Sequence, residues 1–277
     1  MLTWDDLTSR PRPACDATIV YGEDAMHRID LWRPAGDGPH PVVLMVHGGC
    51  WQTAIADRRL MDWAADDLRA AGFAVWNIDY RGVDRPGGGY PGTFRDVAAA
   101  TDHLRASAAE WRLDTSRLVA VGHSAGGHLA LWLAARGRIP AASALFTADA
   151  LGVPEVIALG ALPDLEAVAA SPDNGCGTAV IDRLIGTDRA NRFTDTSIPP
   201  LLPLGVRQQL VNGREDRIIP YRFATDYSAA AEAAGDAVAL HTVPATGHVE
   251  LITPGTAAWT MARRLVAAAL SRDSSGG

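Results

Sequence analysis

Apolar residues come in short unbroken runs separated by stretches with helical spacing, and this alternation restricts the fold more than any other feature of the chain. Residues 41–47 read PVVLMVH, 73–79 FAVWNID and 118–122 LVAVG, with further strand candidates at 156–160, 208–211 and 238–243. A run that is apolar at every position, rather than at every second one, is a strand covered on both faces. Between the runs apolar residues recur three and four apart, as in Leu60, Trp63, Ala64, Leu68 and Ala71 before Gly72, or Val97, Ala100 and Leu104. Helices are expected at 59–71, 93–109, 124–135, 223–234 and 256–270, and two early strands at 19–21 and 28–32. Such alternation builds a mostly parallel sheet with helices on both sides. It continues along the chain without internal repeats or a long linker, so one domain is expected over 1–277. Residues 137–154 lack periodicity and read as an extended loop. The stretch 162–203 is rich in Pro, Gly and Asp, has one expected helix at 178–185, and reads as a small cap beside the site; 271–277 reads as a frayed tail.

Charge and composition exclude several classes of function. The net charge is −7 and no basic stripe exists, so nucleic acid is not an expected partner. No run is long and apolar enough to span a membrane. The opening MLTWDDLTSRPR carries early acids and no apolar centre, unlike a signal peptide. The three cysteines, Cys15, Cys50 and Cys176, are odd in number and far apart, which argues against a disulfide framework and for a reducing, cytoplasmic setting. All 25 basic residues are arginine. The chain therefore has no lysine for a Schiff base, a pyridoxal phosphate anchor or a P-loop.

Four loops carry candidate chemistry. Gly122-His123-Ser124-Ala125-Gly126 follows an apolar run and opens a helix. This is the context of a nucleophile elbow, where a tight turn lifts a serine hydroxyl clear of the sheet and needs glycines where side chains would collide. The helix start also aims the Ala125 amide at whatever binds Ser124. His47-Gly48-Gly49-Cys50-Trp51 follows the 41–47 run; there Gly48 and Gly49 let backbone N–H groups approach a developing oxyanion. His47 reads as a brace for this loop rather than a proton carrier. After the strand candidate at 208–211 comes Asn212-Gly213-Arg214-Glu215-Asp216, in which Asp216 is favoured as the acid of a triad and Glu215 is its rival. After the last strand candidate comes Ala245-Thr246-Gly247-His248. The order Ser124, Asp216, His248 is that of a serine hydrolase with this strand–helix alternation. No metal-ligand spacing is present and no cofactor is expected.

These motifs in this order resemble the α/β-hydrolase superfamily of serine esterases and lipases over nearly the full chain. The resemblance implies a mostly parallel central sheet of about eight strands, helices on both faces and a small loop or helix cap. Within the superfamily, His47-Gly48-Gly49-x-Trp51 resembles the HGGxW signature of arylformamidase (kynurenine formamidase) relatives, in which this loop supplies the oxyanion hole. Ile78-Asp79-Tyr80-Arg81, Gly87-Gly88-Gly89-Tyr90-Pro91 and Phe94-Arg95-Asp96-Val97 are similar to bacterial members of the same group. Cys50 departs from hormone-sensitive-lipase relatives, which carry a third glycine there. Cys50 and Trp51 are candidate pocket residues, with Trp51 equally placed as a core aromatic; Asp96 is expected to start a helix or to pair with Arg81 or Arg95. The expected activity is cleavage of small carboxylic esters through an acyl-enzyme. The alternatives are an arylformamidase, an aminopeptidase of the prolyl oligopeptidase branch, and a non-catalytic receptor on the same fold. The expected partner is a small ester or formamide substrate, and a homodimer is left open.

Overall fold

A computed structural model of the chain describes residues 1–272. In chain order it contains α1 (Trp4–Thr8), β1 (Ala17–Val20), β2 (Arg28–Trp32), β3 (His40–Val46), α2 (Asp62–Ala70), β4 (Ala74–Ile78), α3 (Gly92–Trp111), β5 (Leu113–His123), α4 (Ala125–Ala134), β6 (Glu155–Leu159), α5 (Leu165–Ala169), α6 (Ala179–Ile185), β7 (Arg207–Gly213), α7 (Arg222–Ala233), β8 (Val238–Val243) and α8 (Ala257–Leu270). The strands form one eight-stranded sheet in the order β1-β2-β4-β3-β5-β6-β7-β8. β1 with β2 and β2 with β4 are antiparallel, and every later pairing is parallel. This is the α/β-hydrolase arrangement expected above.

The unbroken apolar runs resolve into two faces. Val42, Leu44 and Val46 of β3 join a core with Val97 and Leu104 of α3 and Leu129 of α4. Val43 and Met45, one step along the pleat, join a second core with Leu7 of α1, Leu68 of α2 and Val266 of α8. Successive strand side chains point to opposite faces, so a strand sandwiched between two helical layers must be apolar at every position. The sheet is thus fixed by burial on both sides, and its carboxyl edge becomes a rigid platform for loops.

Three local departures from the sequence reading have physical causes. β5 begins at Leu113, not 118, because its first residues pair with His40 and Pro41 before the register shifts and Val42 meets Leu118. The polar residues at that irregularity hid the strand. The expected helix at 59–71 opens as a 3-10 turn over Arg58–Met61, capped by Asp57, before α2 begins. The sequence reading missed α1, which is short but carries a local signal: Thr3 and Asp6 cap each other reciprocally.

The stretch 162–203 holds α5, α6 and a 3-10 turn at Pro199–Leu201. Leu165, Val168, Ile181 and Leu184 are fully buried in the same core as α3 and α4. Its two ends meet: Ile198 N–H donates to the Pro163 carbonyl at 3.1 Å, and Leu165 N–H donates to Ser197 Oγ at 3.0 Å. Of the expected tail, Ser271 and Arg272 follow α8, and 273–277 lie outside the described residues. Among the described residues no helix is long and apolar enough to cross a membrane.

Candidate active site

Every candidate residue stands just past the carboxyl end of a parallel strand. β5 ends at His123 and α4 begins at Ala125, leaving Ser124 alone to turn the chain at φ 56 and ψ −123. A side chain rarely adopts that conformation, and such strain concentrates where function needs it. The turn is held by the Ser124 N–H, which donates to Leu159 at the end of β6 at 2.8 Å. Its glycines are forced by contact. A Cβ on Gly122 would strike the Gly126 carbonyl, and one on Gly126 would strike the carbonyls of Val46 and His47. The N–H groups of Ala125 and Gly49 find no protein acceptor among the described residues, so both are free to donate to a ligand.

The loop after β3 is equally constrained. A Cβ on Gly48 would stand 3.0 Å from Ser124 Cβ, so its bare backbone lies against the serine. Gly49, Cys50 and Trp51 all take positive φ, at 104, 51 and 55. The loop is braced from beneath. The His47 ring lies between the Gly48 carbonyl at 2.7 Å and Asp79 Oδ1 at 3.0 Å, and stacks on Tyr80 at 4.3 Å. Arg58 donates to Asp79 at 2.9 Å and to Asp30 at 2.7 Å, closing a buried ionic chain under the loop. His47 thus sits among scaffold contacts and not on the cavity.

Asp216 and His248 come together from the loops after β7 and β8. His248 Nδ1–H donates to Asp216 Oδ2 at 2.6 Å, and both side chains are almost fully buried. The other oxygen of Asp216 accepts the N–H groups of Ile218 and Ile219, each at 2.9 Å, which fixes the carboxylate's direction. Glu215 turns away and accepts the Thr246 N–H at 3.1 Å, so it supports the turn before His248 without touching its ring. His123, beside the serine, donates from Nε2 to the His248 carbonyl at 3.2 Å. Burial, with His248 adding, holds the His123 pKa well below the usual histidine value, so this ring is neutral. Gly160, just past the end of β6, is a residue sequence reasoning missed. Its φ is +54, and a Cβ there would stand 3.1 Å from two atoms of the His248 ring. Only an unadorned strand end leaves room for the imidazole, a demand no local motif announces.

Ser124, His248, Gly49 and Cys50 open on one cavity of about 380 Å³. Its remaining wall is mainly apolar and includes Trp4, Ile55, Leu60 and Ile218. A wider crevice of about 620 Å³ lies at the amino end of the strands around Glu155, Arg207 and Asp236, and holds none of these residues. Two candidates are reassigned. Trp51 is not a pocket residue: it is fully buried in the core, edge-on to His128 at 5.6 Å, and does not line the cavity. Cys50 does line the cavity, but not as a free thiol; it is bonded to Cys176, with Cα atoms 5.3 Å apart. The expectation of unbridged cysteines fails because the two residues, 126 apart in sequence, lie on loops that converge at the same sheet edge. The ground for a reducing compartment goes with it. Cys15 alone is free. Asp96, buried, takes Arg81 in a two-pronged contact at 2.7 Å rather than Arg95. Among the described residues no group of three or more His, Cys, Asp or Glu side chains is placed to hold a metal.

An eight-stranded sheet of this order with a strained serine elbow and an Asp–His pair at its carboxyl edge places the chain in the α/β-hydrolase class. Residues 29–229 match the BD-FAE family, and the chain belongs to it. It is 32% identical over 119 residues to a probable isoprenylcysteine alpha-carbonyl methylesterase of Arabidopsis thaliana, a match covering 43% of this chain and 24% of that protein. The chain thus spans about a quarter of that relative's length. Among solved structures, esterase B from Lactobacillus Rhamnosis superposes with a TM-score of 0.78 at 19% identity, covering 94% of this chain and 89% of the other. A truncated carbohydrate esterase from gut microbiota superposes with a TM-score of 0.76 at 18% identity, covering 94% and 98%.

Proposed function

We propose that the chain is a serine esterase acting on small carboxylic esters, with Ser124 as nucleophile, His248 as general base and acid, and Asp216 as the group that orients His248. The observation that carries this reading is the 2.6 Å bond from His248 Nδ1–H to a doubly anchored Asp216, with the imidazole on the same cavity as a strained Ser124. A serine hydroxyl is a weak nucleophile at neutral pH. With Nδ1 committed to Asp216, Nε2 is left as the base. It takes the Ser124 proton as Oγ bonds to the ester carbonyl carbon. The oxyanion is met by the N–H groups of Ala125 and of the Gly48–Gly49 stretch, each worth about 3 kcal/mol in such a site. His248 then hands its proton to the departing alkoxide, leaving an acyl-serine. Water, deprotonated by the same nitrogen, attacks that carbonyl; acid leaves and Ser124 regains its proton. Asp216 stabilises the imidazolium in both halves. The Ser124 elbow and paired Asp216–His248 also weigh against a receptor role.

The test is a panel of short and long p-nitrophenyl esters, an aryl amide and N-formylkynurenine, run on the parent and on Ser124→Ala. Ester turnover, covalent labelling by a fluorophosphonate and loss of both in the variant are expected. A variant that keeps parental turnover overturns the reading. Hydrolysis of N-formylkynurenine at a higher kcat/KM than any ester would replace the ester with a formamide as preferred substrate, since an aryl formamide carbonyl fits the same chemistry.

A further inference from the structure

Part of the cavity wall beside His248 is contributed by the N-terminal segment, not by a loop at the sheet edge. Trp4 of α1 stands edge-on to the rings of both His248 and His123, with centroids 6.2 and 6.3 Å away. Trp32, Trp51, Trp76, Trp132 and Trp259 are buried, whereas Trp4 remains 37% exposed on the cavity. A large apolar ring left open beside a reactive pair is a surface for binding.

The segment is fastened in place. Leu7, on the same helix, is fully buried in the core under α2 and α8. Arg10 donates to the Pro254 carbonyl at 3.2 Å. One buried carboxylate joins the segment to the histidine loop: Glu250 Oε1 accepts the Leu2 N–H at 2.5 Å, and its Oε2 accepts the Gly247 N–H at 3.1 Å. Gly247 directly precedes His248. The ring of Trp4 and the imidazole are therefore held to the same anchor, and the wall keeps its distance from the base.

We infer that Trp4 is a specificity-determining residue that forms the alcohol side of the substrate site. The inference rests on the serine-esterase reading. In acylation the general acid gives its proton to the leaving alkoxide, so the alcohol portion lies against the outer edge of the imidazole while the acyl portion lies on the serine. The Trp4 ring, 6.2 Å from the imidazole and lining the same cavity, then stands beside the alcohol portion. An apolar alcohol gains contact with the indole; methanol, with nothing to reach it, does not. Deacylation takes place after the alcohol has left and does not involve this wall.

The experiment compares the parent with Trp4→Ala and Trp4→Phe on two series. One holds the acyl group as acetate and varies the alcohol through methyl, butyl and benzyl, followed by acid release. The other holds p-nitrophenol and lengthens the acyl chain from acetate to hexanoate. Trp4→Ala is expected to lower kcat/KM for benzyl and butyl acetate about tenfold relative to methyl acetate, the scale set by lost apolar contact in a pocket. The acyl-chain ratios and the single-turnover deacylation rate stay within about twofold of the parent, since neither uses the alcohol wall. Trp4→Phe keeps a smaller ring and shows a loss of about threefold in the alcohol series alone. If Trp4→Ala does not fold, that threefold effect decides. A shift in the acyl series, an equal fall for all esters, or unchanged alcohol ratios would each overturn the inference. A parent that hydrolyses no ester and takes no fluorophosphonate label removes the serine-esterase reading itself and this inference with it.

Discussion

Replacing Gly160 by alanine is expected to damage turnover more than stability, and the geometry sets both sizes. Gly160 follows β6 at φ +54, with its N–H donating to the Val211 carbonyl at 2.9 Å. An alanine in that conformation costs about 1–2 kcal/mol. The new Cβ would stand 2.8 Å from Leu251 Cδ1 and 3.1 Å from His248 Cε1 and Nδ1. Carbon contacts are comfortable at about 3.5–4.0 Å, so each neighbour must yield by several tenths of an ångström. Leu251 yields at the end of a flexible side chain. His248 is pinned by Asp216 at 2.6 Å and yields only by moving the ring proposed as the base for Ser124. Displacements of up to about 1 Å in a catalytic group cost up to about 10²-fold, so kcat should fall roughly 10- to 100-fold, with Tm lower by about 2–8 °C. Gly72→Ala is the control. It also forces alanine into positive φ, at +95, with no heavy atom within 4 Å of the new Cβ. It should share the loss in Tm and keep parental kcat. The measurement is a thermal melt beside ester kinetics on both variants. Parental kcat in Gly160→Ala, or an equal fall in Gly72→Ala, would refute the reasoning.

Further outcomes separate the acids, the sulfurs and a buried carboxyl. Asp216→Asn should lower kcat by about 10³ to 10⁴, as when a triad histidine is left in the wrong tautomer. Glu215→Gln, whose carboxylate meets only the Thr246 N–H, should cost about tenfold at most; the reverse ranking in kcat would reassign the acid. Removing the Cys50–Cys176 bond by a double Cys→Ser change should lower stability by about 4–5 kcal/mol on the chain-entropy scale for so long a loop, read as the denaturant midpoint; an unmoved midpoint would refute it. Burial raises the Asp62 carboxyl to about 7, against the opposing pull of Arg12. Its folded value thus exceeds the ordinary 3.8, so its stabilisation is complete below that value and is lost as pH rises through about 7. Asp62→Asn should therefore be more stable than the parent at about pH 8 and no more stable at about pH 3 in melts across that range; a gap that widens toward acid would contradict the assignment.

Legibility in the sequence followed the reach of each signal. β2 and β8 appear at the bounds the sequence suggests; β2 is buried at Ile29–Trp32, whereas β8, half-buried at the sheet edge, shows itself through its valines, leucine and threonine rather than through two covered faces. Ser124, Asp216 and His248 could be singled out because the topology sends the chain past the same sheet edge after β5, β7 and β8. What escaped was whatever depends on residues distant in sequence or on backbone angles. Trp51 was undecided between pocket and core until its burial against His128, far along the chain, was known. Cys50 and Cys176 carry no mark of each other. Gly160 is one glycine among 27, and its need to be bare comes from a histidine 88 positions later. α1 had its capping pair in plain view, but five residues are too few for a periodic pattern to show.

The meeting of Pro163 with Ile198 has a practical side. An excursion whose entry and exit already touch can change length in its exposed stretches at little cost, because closing a longer loop between fixed points adds only about 0.6 kcal/mol per doubling, while Leu165, Val168, Ile181 and Leu184 have to be kept as part of the core. Gly175 on this excursion lines the cavity and Cys176 is bonded to its wall, so the excursion brings its own patch of substrate contact with it. Directed evolution confined to the exposed positions of 164–197 would vary the mouth of the site while the core, the elbow and the histidine loop stayed as they are. Cys176 has to stay with each variant, because its bond to Cys50 ties the segment to the cavity wall.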